Sequence, residues 1–157
     1  PAVQQERLPL KSLVDGVLVY FADAISRQGI RLSIDFDDQL PVWVDRHQMK
    51  QVLINVLLNA VQALEGQAAP VLRLSAELRE TELHLLVTDN GPGISPEVLH
   101  KAFEPFYTTK TGGTGLGLAI CRAILKRAGG TITVTSTPGR GSRFTVRMPD
   151  ADSQDAL

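Results

Sequence analysis

The sequence predicts an α+β fold, a two-layer sandwich in which three helices cover one face of a mixed, mostly antiparallel sheet. Three observations carry that expectation. Apolar residues recur at helical spacing in three separate stretches, strand-like alternation fills the intervals, and the strands fall into pairs joined by short turns. Helices and a sheet that each bury one face against the other make two layers. The 157 residues suffice for one domain that buries about 68–70% of its unfolded surface in a single core.

Residues 11–28 carry Leu13, Val14, Val17, Leu18, Phe21, Ala24 and Ile25 at helical spacing, with Gly29 as the stop, and predict one amphipathic helix. Residues 30–36 alternate as a half-buried strand does, and residues 40–44 read as a short extended piece near an edge. Asp45 is placed to cap a second helix through about Leu64, where Val52, Leu53, Val56, Leu57, Ala60, Val61 and Leu64 form a wide apolar stripe. Residues 71–78 and 83–89 predict one strand pair, and residues 131–135 and 144–148 a second, turning at Pro138-Gly139-Arg140-Gly141. Between the pairs lie an irregular segment, 91–113, and a third helix, 115–127. Residues 1–10 are expected as the end of a linker, 11–149 as the domain, and 150–157 as a disordered tail.

Composition narrows the functional classes. Sixteen Lys and Arg against seventeen Asp and Glu leave a net charge of −1, and no stretch concentrates basic residues as a nucleic-acid-binding face does. The single cysteine, Cys121, has no partner for an internal disulfide and sits in an apolar helical pattern, as a buried thiol in a reducing compartment does. No run of 18 apolar residues and no secretory leader is present, so a cytoplasmic location is expected. His47, His84 and His100 have no spacing that suggests a metal site or a catalytic base.

Three segments carry chemistry. Thr108-Thr109-Lys110-Thr111-Gly112-Gly113-Thr114-Gly115-Leu116-Gly117-Leu118 is a glycine-rich loop running into an apolar helix. Glycines let backbone N–H groups approach a ligand closely, and the helix N-terminus adds about half a positive charge, so the stretch suits phosphate. Lys110 is placed to reach it. The spacing fits neither the P-loop nor the dinucleotide fingerprint. Asn55 and Asn59 stack on one helical face inside an apolar run. An Asn pair of this kind is ordinarily capped or satisfied within a core; alternatively, its amide oxygens can serve a hard cation such as magnesium, shared with phosphates. Asp89-Asn90-Gly91-Pro92-Gly93-Ile94 ends an apolar strand. Asn-Gly is an ordinary turn signal, yet a Pro between glycines shapes a backbone that a flat ligand can approach, and a carboxylate there would accept from an exocyclic amine. Phe103 and Phe106 read as anchors pinning the long segment to the core.

Taken together and in this order, the segments resemble the ATP-binding catalytic domain of bacterial sensor histidine kinases, in the GHKL superfamily. The resemblance covers roughly residues 11 to 149. An asparagine box matches Gln51-Val52-Leu53-Ile54-Asn55-Val56-Leu57-Leu58-Asn59-Ala60, and a first glycine box matches Asp89-Asn90-Gly91-Pro92-Gly93-Ile94. A phenylalanine box matches Phe103-Glu104-Pro105-Phe106, and a second glycine box Gly113-Thr114-Gly115-Leu116-Gly117-Leu118. Pro105-Phe106-Tyr107-Thr108-Thr109-Lys110 looks most like kinases of the nitrogen-regulation type.

The resemblance implies a Bergerat-type ATP-binding sandwich. Asp89 would meet the adenine amine, with Gly91, Gly93 and Ile94 shaping the base pocket and Thr145 on the last strand supporting Asp89 through water. Asn59, helped by Asn55, would hold Mg2+. Thr109, Lys110, Gly113, Thr114, Gly115, Leu116 and Gly117 would hold the phosphates, and residues 95–114 would form a lid. Gln62 departs from the family, where many relatives place a basic residue that touches phosphate. ATP-hydrolysing members carry Glu four residues before the magnesium Asn; here Asn55 stands there, and an amide is no general base. Phosphoryl transfer rather than hydrolysis is therefore implied, with the γ-phosphate passing to a histidine. No His-Glu or His-Asp pair occurs in the chain, so that histidine is expected on a dimerisation domain ahead of Pro1, leaving this chain monomeric and unable to phosphorylate itself. The implied partners are ATP or ADP, the histidine-bearing domain of a homodimer, and a response regulator. An anti-sigma-like Ser/Thr kinase and a non-catalytic nucleotide-sensing module are the alternatives.

Overall fold

A computed structural model describes residues 3–104 and 117–152. Among the described residues, seven strands and five helices run in the order β1 (Gln5–Pro9), α1 (Leu10–Leu18), α2 (Ala22–Gln28), β2 (Arg31–Asp35), β3 (Pro41–Asp45), α3 (Arg46–Ala63), β4 (Val71–Arg79), β5 (Glu82–Asp89), α4 (Pro96–Lys101), α5 (Gly117–Arg127), β6 (Thr131–Thr137) and β7 (Gly141–Pro149). The main sheet has five strands ordered β2-β4-β5-β7-β6. Among the described strands β2 and β4 pair in parallel, and the other ladders of this sheet are antiparallel. The mixed, mostly antiparallel two-layer sandwich is therefore present.

Strand alternation builds the core. Leu72 and Leu74 of β4, Leu83, Leu85 and Val87 of β5, and Phe144, Val146 and Met148 of β7 are buried on one face of the sheet. Against them pack Leu13, Val14 and Val17 of α1, Met49, Val52, Leu53, Val56, Leu57, Ala60 and Val61 of α3, and Leu118, Cys121, Ile124 and Leu125 of α5. The opposite face carries Arg73, Ser75, Glu77, His84, Thr88, Arg143, Thr145 and Thr133, the polar half of the same alternation. Asp45 caps α3 as its position suggests, accepting the Gln48 N–H at 3.0 Å.

Several elements depart from the sequence expectation. The single helix expected over residues 11–28 is two. The chain tightens between them, with the N–H groups of Tyr20 and Phe21 donating three residues back to Val17 and Leu18 at 3.0 and 2.9 Å. That turn keeps Phe21 in the core at 7% exposure while Val19 and Tyr20 face solvent. Apolar spacing survives one tight turn, so periodicity does not register the break. The expected linker, residues 1–10, contributes β1, which pairs with β3 in a separate two-stranded sheet and is tied to it by Trp43 Nε1 donating to Gln5 Oε1. Residues 150–152, expected as part of the tail, pack onto the domain. Ala151 is fully buried, and Arg7 reaches Asp152 at 2.8 Å. The segment expected to be irregular, 91–113, contains α4, which starts on Ser95, whose Oγ accepts the Val98 N–H, with Pro96 as its first residue.

Candidate nucleotide site

The site assembles along α3. Its stripe faces the core, and the same helix carries the amides of Asn55, turned toward α5, and of Asn59 one turn on. Asn55 Nδ2 donates to the carbonyl of Gly117, the first residue of α5, at 3.3 Å, and Asn59 Nδ2 donates back to the Asn55 carbonyl at 2.8 Å. A Cβ on Gly117 would stand 3.4 Å from Asn55 Cγ, in ordinary contact, so α5 begins directly against α3. Cys121 lies one turn further, fully buried, its Sγ 3.7 Å from the Val52 carbonyl. Burial pushes its thiol up to about 11, so it packs rather than reacts near neutral pH.

At the other end of α3, the chain leaves β5 through Asp89. Alternation turns this carboxylate toward the helices, where it is 4% exposed, and its Oδ1 accepts the Gly91 N–H at 2.9 Å. A Cβ on Gly91 would come within 2.8 Å of the Ala63 carbonyl oxygen and 3.0 Å of Asp89 Oδ1. Gly93 holds φ of 78°, a left-handed conformation, and a Cβ there would collide with the Thr137 carbonyl. The glycine turn is bolted to the β6–β7 hairpin: Gly139 N–H donates to the Pro92 carbonyl at 2.6 Å, and Ile94 N–H to Ser136 Oγ at 2.7 Å. Asn90 is a clamp, its Oδ1 accepting the Val71 N–H at 2.6 Å and its Nδ2 donating to the Ala69 carbonyl at 2.9 Å. From Ala63, against Gly91, back to Asn55, against Gly117, is eight residues, or about 12 Å of helix.

Thr145 requires a correction. It pairs with Leu86 on β5 and Thr133 on β6, in the row that faces away from the helices. A strand reverses side-chain direction at each residue, so Thr145 and the buried Asp89 lie on opposite faces of the sheet. The hydroxyl registered beside Asp89 is Ser142, 7% exposed and missed by the sequence reading. Its signal was available in principle: the alternation of Phe144, Val146 and Met148 carries back to Ser142, not forward to Thr145. Phe103 does pin its segment, packing against the core with Arg122 stacked 4.1 Å above its ring. Phe106, Thr109, Lys110, Gly113, Thr114, Gly115 and Leu116 lie outside the described residues.

Among the described residues no three His, Cys, Asp or Glu side chains lie together as a metal-binding group. The donors on α3 are neutral amides, which fit a hard cation that draws the rest of its shell from water and phosphate oxygens. No helix of the described residues is long and apolar enough to cross a membrane.

Residues 44–152 match the family of histidine kinase-, DNA gyrase B- and HSP90-like ATPases. The chain belongs to this family. Relatives within it include sensor kinases. The chain is 37% identical over 152 residues to the signal transduction histidine-protein kinase AtoS of Escherichia coli K12, covering 93% of this chain and 24% of AtoS. It is 37% identical over 161 residues to the sensory histidine kinase/phosphatase NtrB of Rhizobium meliloti, covering 92% of this chain and 42% of NtrB. The nucleotide-free catalytic domain of histidine kinase ThkA superposes with a TM-score of 0.83 at 34% identity, over 94% of this chain and 96% of that one. ThkA has also been solved in complex with the response regulator protein TrrA. The chain thus corresponds to a histidine kinase catalytic domain and spans a quarter to under half of the curated relatives named here.

Proposed function

We propose that this domain binds Mg-ATP and donates its γ-phosphate to a histidine on a separate dimerisation domain, within a cytoplasmic two-component sensor kinase that serves a response regulator. The observation that carries the reading is the polar row at the end of β5. A buried carboxylate, Asp89, stands beside Ser142 and the Gly91 turn, and from Ala63 against that turn Asn59 lies about 6 Å and Asn55, against the start of α5, about 12 Å back along α3. That separation suits a nucleotide lying along the helix, its base at Asp89 and its phosphates at Gly117. Asn59 serves as magnesium ligand with Asn55 beside it, while Thr109, Lys110, Gly113, Thr114, Gly115 and Leu116 complete the phosphate cradle. The metal, when bound, neutralises phosphate charge. Asn55, holding the start of α5 where a hydrolytic relative would place a base, activates no water, so the chain's contribution is positioning and charge.

Calorimetric titration with ATP and GTP, with and without magnesium, tests the nucleotide site. ATP-selective binding that requires Asp89 is expected; equal or absent binding of both nucleotides overturns it. Mixing the domain with a histidine-bearing dimerisation domain tests the transfer. Acid-labile phosphate on the acceptor is expected, whereas acid-stable phosphate would point to a hydroxyl-directed kinase.

A further inference from the structure

Ser136, on β6, enters no part of the nucleotide reading, yet it stands behind the residue that does. Ser136, Ser142 and Asp89 form one cross-strand row in register on the helix-facing side of β6, β7 and β5. Ser136 Oγ donates to the Gly141 carbonyl at 3.0 Å, accepts the Ile94 N–H at 2.7 Å, and lies 2.9 Å from Ser142 Oγ.

A hydroxyl has one proton and two lone pairs. With the Ser136 proton on Gly141 and one lone pair taken by Ile94, a lone pair is all that remains for Ser142. The proton between the two serines therefore comes from Ser142. Ser142 spends its only donor on Ser136 and offers only lone pairs to whatever lies beside it.

We propose that Ser136 is a specificity-determining positioning residue: it fixes Ser142 as a hydrogen-bond acceptor, so that Ser142 and Asp89 together select a ligand edge carrying an amino group. The inference rests on the nucleotide reading and deepens it. A purine with a 6-amino group supplies the hydrogens this edge needs, while a 6-oxo purine brings an oxygen toward two acceptors. Without Ser136, the Ser142 hydroxyl is released to rotate and donate, and the penalty against the 6-oxo purine shrinks.

The test compares ATP with inosine triphosphate, which differs at that edge, on the 157-residue chain and its variants, with thermal unfolding alongside. The unsubstituted chain should prefer ATP. Ser136→Ala should lower that preference by about 2- to 10-fold, the worth of one neutral hydrogen bond. Ser136→Cys, which keeps the shape with a slightly larger atom but accepts weakly, should do the same, and it serves if the alanine variant fails to fold. Ser136→Thr, which keeps the hydroxyl, should retain the preference. Adding Ser136→Ala to Ser142→Ala should change it no further. A purely structural Ser136 would lower the melting temperature and weaken both nucleotides equally, leaving the ratio intact, and that result overturns the proposal while the nucleotide site stands. Failure of the unsubstituted chain to bind either nucleotide overturns both.

Discussion

The two faces of β5 and β7 use similar residue types for opposite ends. On the helix side, Asp89 and Ser142 are 4% and 7% exposed and sit against glycine turns that admit no side chain. On the other side, one residue away along each strand, Thr88 and Arg143 are registered partners in a solvated row, with Arg143 Nε donating to Thr88 Oγ1 at 3.4 Å. Hydroxyls occur on both faces, at Ser142 and at Thr145. What separates the buried hydroxyl beside Asp89 from the one on the far face is strand parity, and a slip of one residue would exchange them.

The largest effect should come from Asp89→Ala. Loss of a charge-assisted bond to the ligand should weaken ATP by about 10- to 100-fold by calorimetry, whereas Thr88→Ala on the other face should not. Next comes the turn beneath it. Gly91→Ala forces a Cβ to within 2.8 Å of the Ala63 carbonyl oxygen, and should cost about 1–3 kcal/mol in urea unfolding through overpacking. Asn59→Ala should abolish the magnesium dependence of ATP affinity while leaving magnesium-free binding nearly unchanged; retained dependence would move the metal elsewhere.

Asp45 sharpens the comparison, because it too accepts backbone N–H groups, yet does so at the surface. Its Oδ2 takes the Gln4 N–H and its Oδ1 the Gln48 N–H, and these bonds hold its carboxyl below the ordinary 3.8. A depressed folded-state value means that the unfolded chain binds the proton more readily. The stability it contributes is therefore present above about pH 4 and is lost as pH falls through the folded value. Asp45→Ala should cost about 0.5–2 kcal/mol at pH 7, as helix caps do, and much less near pH 2. ATP affinity of the folded protein should not move. The smallest effect belongs to Thr145→Ala, expected to leave ATP binding within about 2-fold, below what one neutral hydrogen bond contributes. A loss as large as that of Ser142→Ala would reverse the assignment of faces.

Much of this molecule was legible in the chain because short-range rules govern it. The stripe of α3, the cap at Asp45 and the alternation of β4, β5 and β7 follow from spacing alone. Gly91 and Gly93 drew attention as a turn, and the structure adds why neither carries a side chain: each would strike a carbonyl from a distant segment. The first strand was not legible. Gln5–Pro9 buries only Leu8 and becomes a strand because β3 pairs with it, nearly forty residues on. The break after α1 escaped for the opposite reason, since a tight turn leaves the apolar spacing intact.

The sequence by itself determined the layers, the helix that carries both asparagines, and the family, because patterned burial and motif order are local properties of the chain. Alternation along β7 names the face of Ser142, but only the tertiary structure set it opposite Asp89 with Ser136 behind it. The first relation depends on register between β5 and β7, about fifty residues apart, and the second on the β6–β7 hairpin; the long-range register is settled by packing one face of the sheet against the helices.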